Sequence, residues 1–212
     1  NGMKFIQFIS NFHFIKAVFI ANSMSIDNAR NDSDIDLFVI TRKNRIWLAR
    51  MVLVLIAQIL NLRPTEKSKK DKICLTIFLD EKNLNLKKVC AENDIYYIYW
   101  INQVVPIFDP SNIYSRFISE NSWSREDIKN IFEYNTGYKR FIGNVLYKKI
   151  IRKITKLFSI KLFNEISRKI EMNMFPLNIK EIIKNGNTED VYVDDTMIKL
   201  HNNNNRKHFH EL

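Results

Sequence analysis

The spacing of apolar residues changes period several times along the chain, and each change marks an element. Between residues 4 and 14, Phe5, Ile6, Phe8, Ile9 and Phe12 fall at helical offsets, which predicts a short amphipathic helix feeding a strand over 16–20. A polar stretch, 21–33, follows with Asn22, Ser23, Ser25, Asn28, Asn31, Asp32 and Ser33, and its 24–30 portion has room for one or two helical turns capped by Ser23. Residues 34–41, Asp-Ile-Asp-Leu-Phe-Val-Ile-Thr, are rich in β-branched and aromatic types and read as a central strand with two acids at its entrance. Asn44 is placed to cap a helix over 45–61, whose Trp47, Met51, Val54, Leu55 and Ile59 give a broad apolar surface, and Pro64 ends it. After a basic loop, 73–79 is a second buried strand. Strand, helix and strand in succession predict the α/β class rather than a bundle.

The texture then changes. Residues 92–105, 111–119, 124–134 and 138–172 all show helical spacing, with Pro106 and Pro110 punctuating the first junction and Pro176 ending the last helix, so the second half is expected to be mainly helical. Residues 191–193 and 197–200 flank Asp194 and Asp195 and read as a short hairpin or one edge strand, and the tail from 201 is expected to be mobile. The longest apolar run, 51–60, is interrupted by Gln58 and falls short of the 18 or so residues of a spanning helix, so no membrane is expected as partner. The opening Asn1-Gly2 lacks a charged leader and a cleavage site, as a fragment boundary would.

Composition narrows the class. Hydrophobic residues make up 46% and charged residues 26% of the 212, which excludes a wholly disordered, collagenous or disulfide-stapled chain. Only 4 glycines are present, roughly a third of average usage, which argues against a glycine-rich phosphate loop. The 33 lysines and arginines exceed the 23 acids by 10; that excess favours polyanionic partners, and a compositional bias of the source genome accounts for it equally well. Two cysteines, Cys74 and Cys90, without zinc spacing fit a reduced, cytoplasmic setting.

The chemistry concentrates around the first two strands. Asp34 and Asp36, at i and i+2 of a strand, share a face with about 7 Å between their Cα atoms. Paired carboxylates at that spacing suit magnesium, whose remaining positions go to water and substrate phosphates. An isolated Asp-x-Asp more often just solvates a turn, but Ser23 lies eleven residues before Asp34. Free amides at a helix start, with the serine hydroxyl, can hold nucleotide phosphates there. On VFIANS, MSIDNARND and SDIDLFVIT, the chain resembles the DNA polymerase beta-like nucleotidyltransferase superfamily over residues 16–79, about a third of its length. Asn22 stands where that superfamily has glycine, and asparagine tolerates a left-handed turn better than most residues. Ile26 and Asp27 stand where many of its minimal members carry arginine and glycine.

The resemblance implies a small mixed sheet of the nucleotidyltransferase type with flanking helices. It implies two magnesium ions on Asp34 and Asp36, a nucleoside triphosphate held by Asn22, Ser23, Lys70 and Lys72, and transfer of a nucleoside monophosphate to an acceptor hydroxyl with loss of pyrophosphate. The acceptor belongs to a small molecule such as an aminoglycoside, a protein side chain or an RNA end, with nucleic acid as a secondary partner. A third carboxylate is expected on the neighbouring strand; Cys74 takes that slot by register, and Asp71 is preferred to Asp80 as the acid. The alternative is a catalytically degenerate binding protein of the same fold, or a toxin–antitoxin component. The division expected is 1–88 for the catalytic domain, 89–175 for a helical domain and 176–212 for a C-terminal segment.

Other clusters have plainer readings. Lys67, Lys69, Lys70 and Lys72 form a loop that either guides phosphates or is simply solvated. The basic face of 148–169 reads first as a solvent face, and Tyr96, Tyr97, Tyr99 and Trp100 read first as core, with base stacking second. His201, His208 and His210 lack metal-ligand spacing. Serine-hydrolase, P-loop and CxxC patterns are missing from the sequence.

Overall fold

Strands buried on both faces need nearly continuous apolar sequence, and β1 (Ile15–Ile20) and β2 (Ile35–Thr41) have it: every residue but Lys16 and Asp36 is buried. The structure is a computed structural model that describes residues 2–21, 33–65, 68–70, 72–91, 94–125, 145–188 and 190–200. β1 and β2 pair antiparallel, with Val18 opposite Val39. The chain then crosses through α2 (Ile46–Ile59) to β3 (Ile73–Asp80), which lies parallel to β2. β4 (Val105–Phe108) pairs antiparallel with β1, and the hairpin of β5 (Val191–Val193) and β6 (Met197–Leu200) pairs through β6 with β3. Among the described residues this makes one mixed sheet in the order β4-β1-β2-β3-β6-β5.

Alternation along the strands sends side chains to two cores. Val18, Ile20, Leu37 and Val39 join the cluster under α1 (Gly2–Ile9) and α2, against which α6 (Lys161–Met174) and α7 (Leu177–Asn185) also pack. Ala17, Phe19, Phe38 and Ile40 face the other way, toward α3 (Ile95–Gln103) and α4 (Ile113–Glu120). On that second face Phe19, Phe38 and Phe117 meet edge to face with centroids 5.4 to 5.8 Å apart, the arrangement ring quadrupoles prefer. The class is therefore mixed α/β, with helices on both faces of the sheet.

β3 carries an irregularity beside the acids. Asp36 lies opposite Cys74, but Phe38 lies opposite Ile77, so β3 spends one extra residue between the two pairs. Such a bulge reverses which parity faces which side. Before it, Ile73 and Leu75 belong to the first core; after it, Ile77 and Leu79 belong to the second.

Several expectations need correction. The helix expected over 138–172 is two helices, α5 (Val145–Phe158) and α6. The break at Ser159 involves neither glycine nor proline: Arg45 Nε donates to the Ser159 carbonyl at 2.9 Å and to its Oγ at 3.0 Å, occupying the acceptor a continuous helix would use. Asn44 is not the cap of α2; it adopts φ 56 with its N–H on Asp80 Oδ2 at 2.5 Å, leaving Arg45 as N-cap. Val105 and Pro106, read as helix end and breaker, open an edge strand, where a missing N–H is tolerated. The segments 89–175 and 176–212 contribute β4, and β5 with β6, to the same sheet as the strands of 1–88. The short helix expected over 24–30, most of the one over 124–134 and the tail 201–212 lie outside the described residues.

Candidate active site

The site is built where β2 and β3 begin side by side. Ile35 N donates to the Lys72 carbonyl at 2.8 Å, which locks the entry of β2 against the residue before β3 and fixes the register that sets Asp36 beside Cys74. Asp34 precedes β2 by one residue. One ligand atom from each of Asp34, Asp36 and Cys74 lies within 4.8 Å of the other two, and all three residues are half-buried. Cys74 thus occupies the slot the register assigned it.

The thiol is held in its neutral form. Burial above all, then the charges of Asp36 and Asp34 and a hydrogen bond to Asp36, push the Cys74 pKa up to about 12, while Arg63 works in the opposite direction. Arg63 itself is pulled below its ordinary value by burial, and its Nη1 is buried with no hydrogen-bond partner among the described residues. The donor set therefore divides. Two magnesium–oxygen bonds of about 2.1 Å span at most about 4.2 Å, so the Asp34 and Asp36 carboxylates, whose ligand atoms lie within 4.8 Å, could hold one such ion only with a small inward rotation. A neutral thiol is a poor ligand for so hard a cation.

The remaining expected residues separate by position. Asn22, Ser23 and Asp71 lie outside the described residues. Lys70 is exposed, and Lys72 is half-buried with its Nζ donating to the Asn61 carbonyl just past α2. Asp80, the weaker choice for a third acid, is removed from the site: the bulge puts it on the other side of β3 from Cys74, and its oxygens accept from the N–H groups of Asn44 and Lys82. Tyr97 and Trp100 stack with planes 5° apart inside the second core, with Lys199 Nζ 4.4 Å from the Tyr97 ring, so these two are packing residues; Tyr99 is exposed. Arg63, which the sequence offered only as the first cation of the basic loop, directly before Pro64, is the one whose charge reaches Cys74 among the described residues.

No family model, curated protein or solved structure matches this chain. Among the described residues no helix is long and apolar enough to cross a membrane.

Proposed function

We propose that the chain is a magnesium-dependent nucleotidyltransferase of the polymerase beta-like type, moving a nucleoside monophosphate from a nucleoside triphosphate to an acceptor hydroxyl. The observation that carries this reading is the convergence of Asp34 and Asp36 within reach of one ion at the entrance of a central strand, in the order Ser23, Asp34, Asp36 along the chain. Asp34 and Asp36 would hold magnesium, which when bound supplies charge neutralisation at the phosphates and orients the attacking oxygen. Asn22 and Ser23 bind the triphosphate, and the exposed Lys70 offers its positive charge to the phosphates. The acceptor oxygen forms a bond to the α-phosphorus as the bond to the bridging oxygen breaks, pyrophosphate departs, and the hydroxyl proton passes to Asp71 or to water. The acceptor is a small molecule, a protein side chain or an RNA end, and two cysteines not joined in a disulfide suit a reducing, cytoplasmic setting.

Cys74 favours a second reading, a binding protein of this fold that holds nucleotide without turnover, because a thiol that stays protonated replaces a carboxylate. Calorimetric titration with ATP, CTP, GTP and UTP in magnesium, beside an assay for pyrophosphate release, separates the two. The transferase reading expects binding of at least one nucleotide, release of pyrophosphate, and loss of release by about a hundredfold or more in Asp34→Asn and Asp36→Asn. Binding without release supports the second reading. Absence of binding in wild type sinks both.

A further inference from the structure

At the opposite end of β2 from the aspartates, basic side chains and an imidazole converge from three parts of the chain. His13 precedes β1 and Arg42 follows β2, and they are joined across the strand ends: Arg42 N donates to the Phe14 carbonyl at 2.9 Å and Arg42 Nε to the His13 carbonyl at 2.6 Å. α5 is fastened to the same corner. His13 N donates to Thr155 Oγ1 at 2.9 Å, and Arg45 Nε bonds Ser159 just after the helix. Thr155 sits between Arg152 and Lys156 on α5, so anchoring it draws both of these toward His13.

We propose that His13, Arg42, Arg45, Arg152 and Lys156 form a second binding site whose ligand is a phosphate group, carried either by a polynucleotide or by a small phosphorylated molecule. Four permanent cations gathered around an imidazole repel one another, and an arrangement of that kind is favourable when an anion enters it. Among the described residues none of the four is in an ion pair. The acid whose field reaches Arg45 is Asp80, whose oxygens are already engaged by the amides of Asn44 and Lys82. His13 Nδ1 is buried and has no hydrogen-bond partner among the described residues. Burial first, and then Arg42, Arg152, Lys156 and Arg45, hold His13 below its ordinary pKa, as expected of an imidazole facing an unneutralised cationic cluster.

Phosphate fits better than carboxylate. It offers several acceptor oxygens and up to two charges, matching the planar forks of the arginines and the point charge of a lysine. The site is distinct from the acidic one: Arg42 lies six residue steps along from Asp36, about 20 Å at 3.3 Å per residue. One mononucleotide cannot span that distance, so the two sites fill independently or along a chain of several nucleotides. The inference does not rest on the transferase reading.

The test uses Arg152→Gln/Lys156→Gln, because these two side chains make none of the hydrogen bonds that fasten α5 to the corner. Wild type and variant are titrated with inorganic phosphate while the His13 imidazole is followed by NMR, and with a fluorescent twelve-nucleotide oligouridylate at 50 and 200 mM salt. Phosphate should shift the His13 resonances and raise its pKa, and the variant should bind at least tenfold more weakly while keeping the wild-type circular dichroism spectrum. Oligouridylate that binds, competes with phosphate and weakens with salt identifies a polynucleotide as the source; phosphate binding without it identifies a small phosphorylated ligand. If phosphate leaves His13 unmoved, or if the folded variant binds as well as wild type, the site does not exist. Arg42→Gln serves as a second variant, with the same loss of phosphate affinity expected.

Discussion

Cys74 shows what a single side chain decides beside two aspartates. A carboxylate there would complete an acidic triad; the thiol adds no charge, because burial and the aspartates keep its proton on. Cys74→Asp is therefore expected to tighten magnesium binding by about tenfold, roughly 1.4 kcal/mol. Without metal it should lower the melting temperature through like-charge repulsion. Thermal melts with and without 10 mM magnesium check both, and a melting temperature that magnesium fails to restore would count against the metal reading. A different buried charge makes a pH prediction. Glu171 is paired with Arg50 between α6 and α2, and burial raises its pKa above 4.5 in spite of that partner. A folded-state pKa above the unfolded one means the native state keeps its proton longer. This group's contribution is complete below pH 4.5 and is lost as pH rises through the folded value. In urea titrations the stability of wild type relative to Glu171→Gln should accordingly fall as pH is raised from 4.5. The position of Cys74 was legible in the sequence because one strand–helix–strand unit sets the register of Asp36 and Cys74. The sequence already set Asp80 behind Asp71 as the third acid, but the side of β3 on which Asp80 falls was not legible, because nothing in Ile-Cys-Leu-Thr-Ile-Phe-Leu-Asp announces the bulge that reverses it.

Elements were legible where local pattern and tertiary packing agree. β1, β2, α2 and β3 fall close to the ranges their periodicity predicts, each being a short run with one dominant period. α5 and α6 defeat the same reasoning, because the break between them is imposed from outside by Arg45, more than a hundred residues away in sequence. β4 was hidden for a related cause: Val-Pro-Ile-Phe becomes a strand only because β1 offers it an edge. α4 provides a test of local control. Asp109 accepts from Ile113 N at 2.7 Å and from Tyr114 N at 2.8 Å, satisfying two amides that the helix leaves unpaired. Asp109→Ala should lower unfolding free energy by about 1–2 kcal/mol, read from the urea midpoint, with the m-value unchanged.

For the molecule as a whole, the sheet order matters more than its size. The strand that bears Asp36 and is entered by Asp34 is central, and its neighbour β3 is covered on the outer edge by β6, which arrives late in the chain. Deleting 186–212 removes that cover. The truncated chain is expected to elute from size exclusion as aggregate, because an exposed apolar strand edge is a pairing template; a monodisperse product would show that β3 manages without it. Synthesis from the amino end imposes the same exposure on every copy for a time. At about 5–20 residues per second, the roughly 120 residues between the end of β3 and β6 take on the order of 6–24 s to make. For that interval each nascent chain carries an open hydrogen-bonding edge beside its aspartate-bearing strand, so the time taken to make β6 sets how long a copy can pair with its neighbours on the same message.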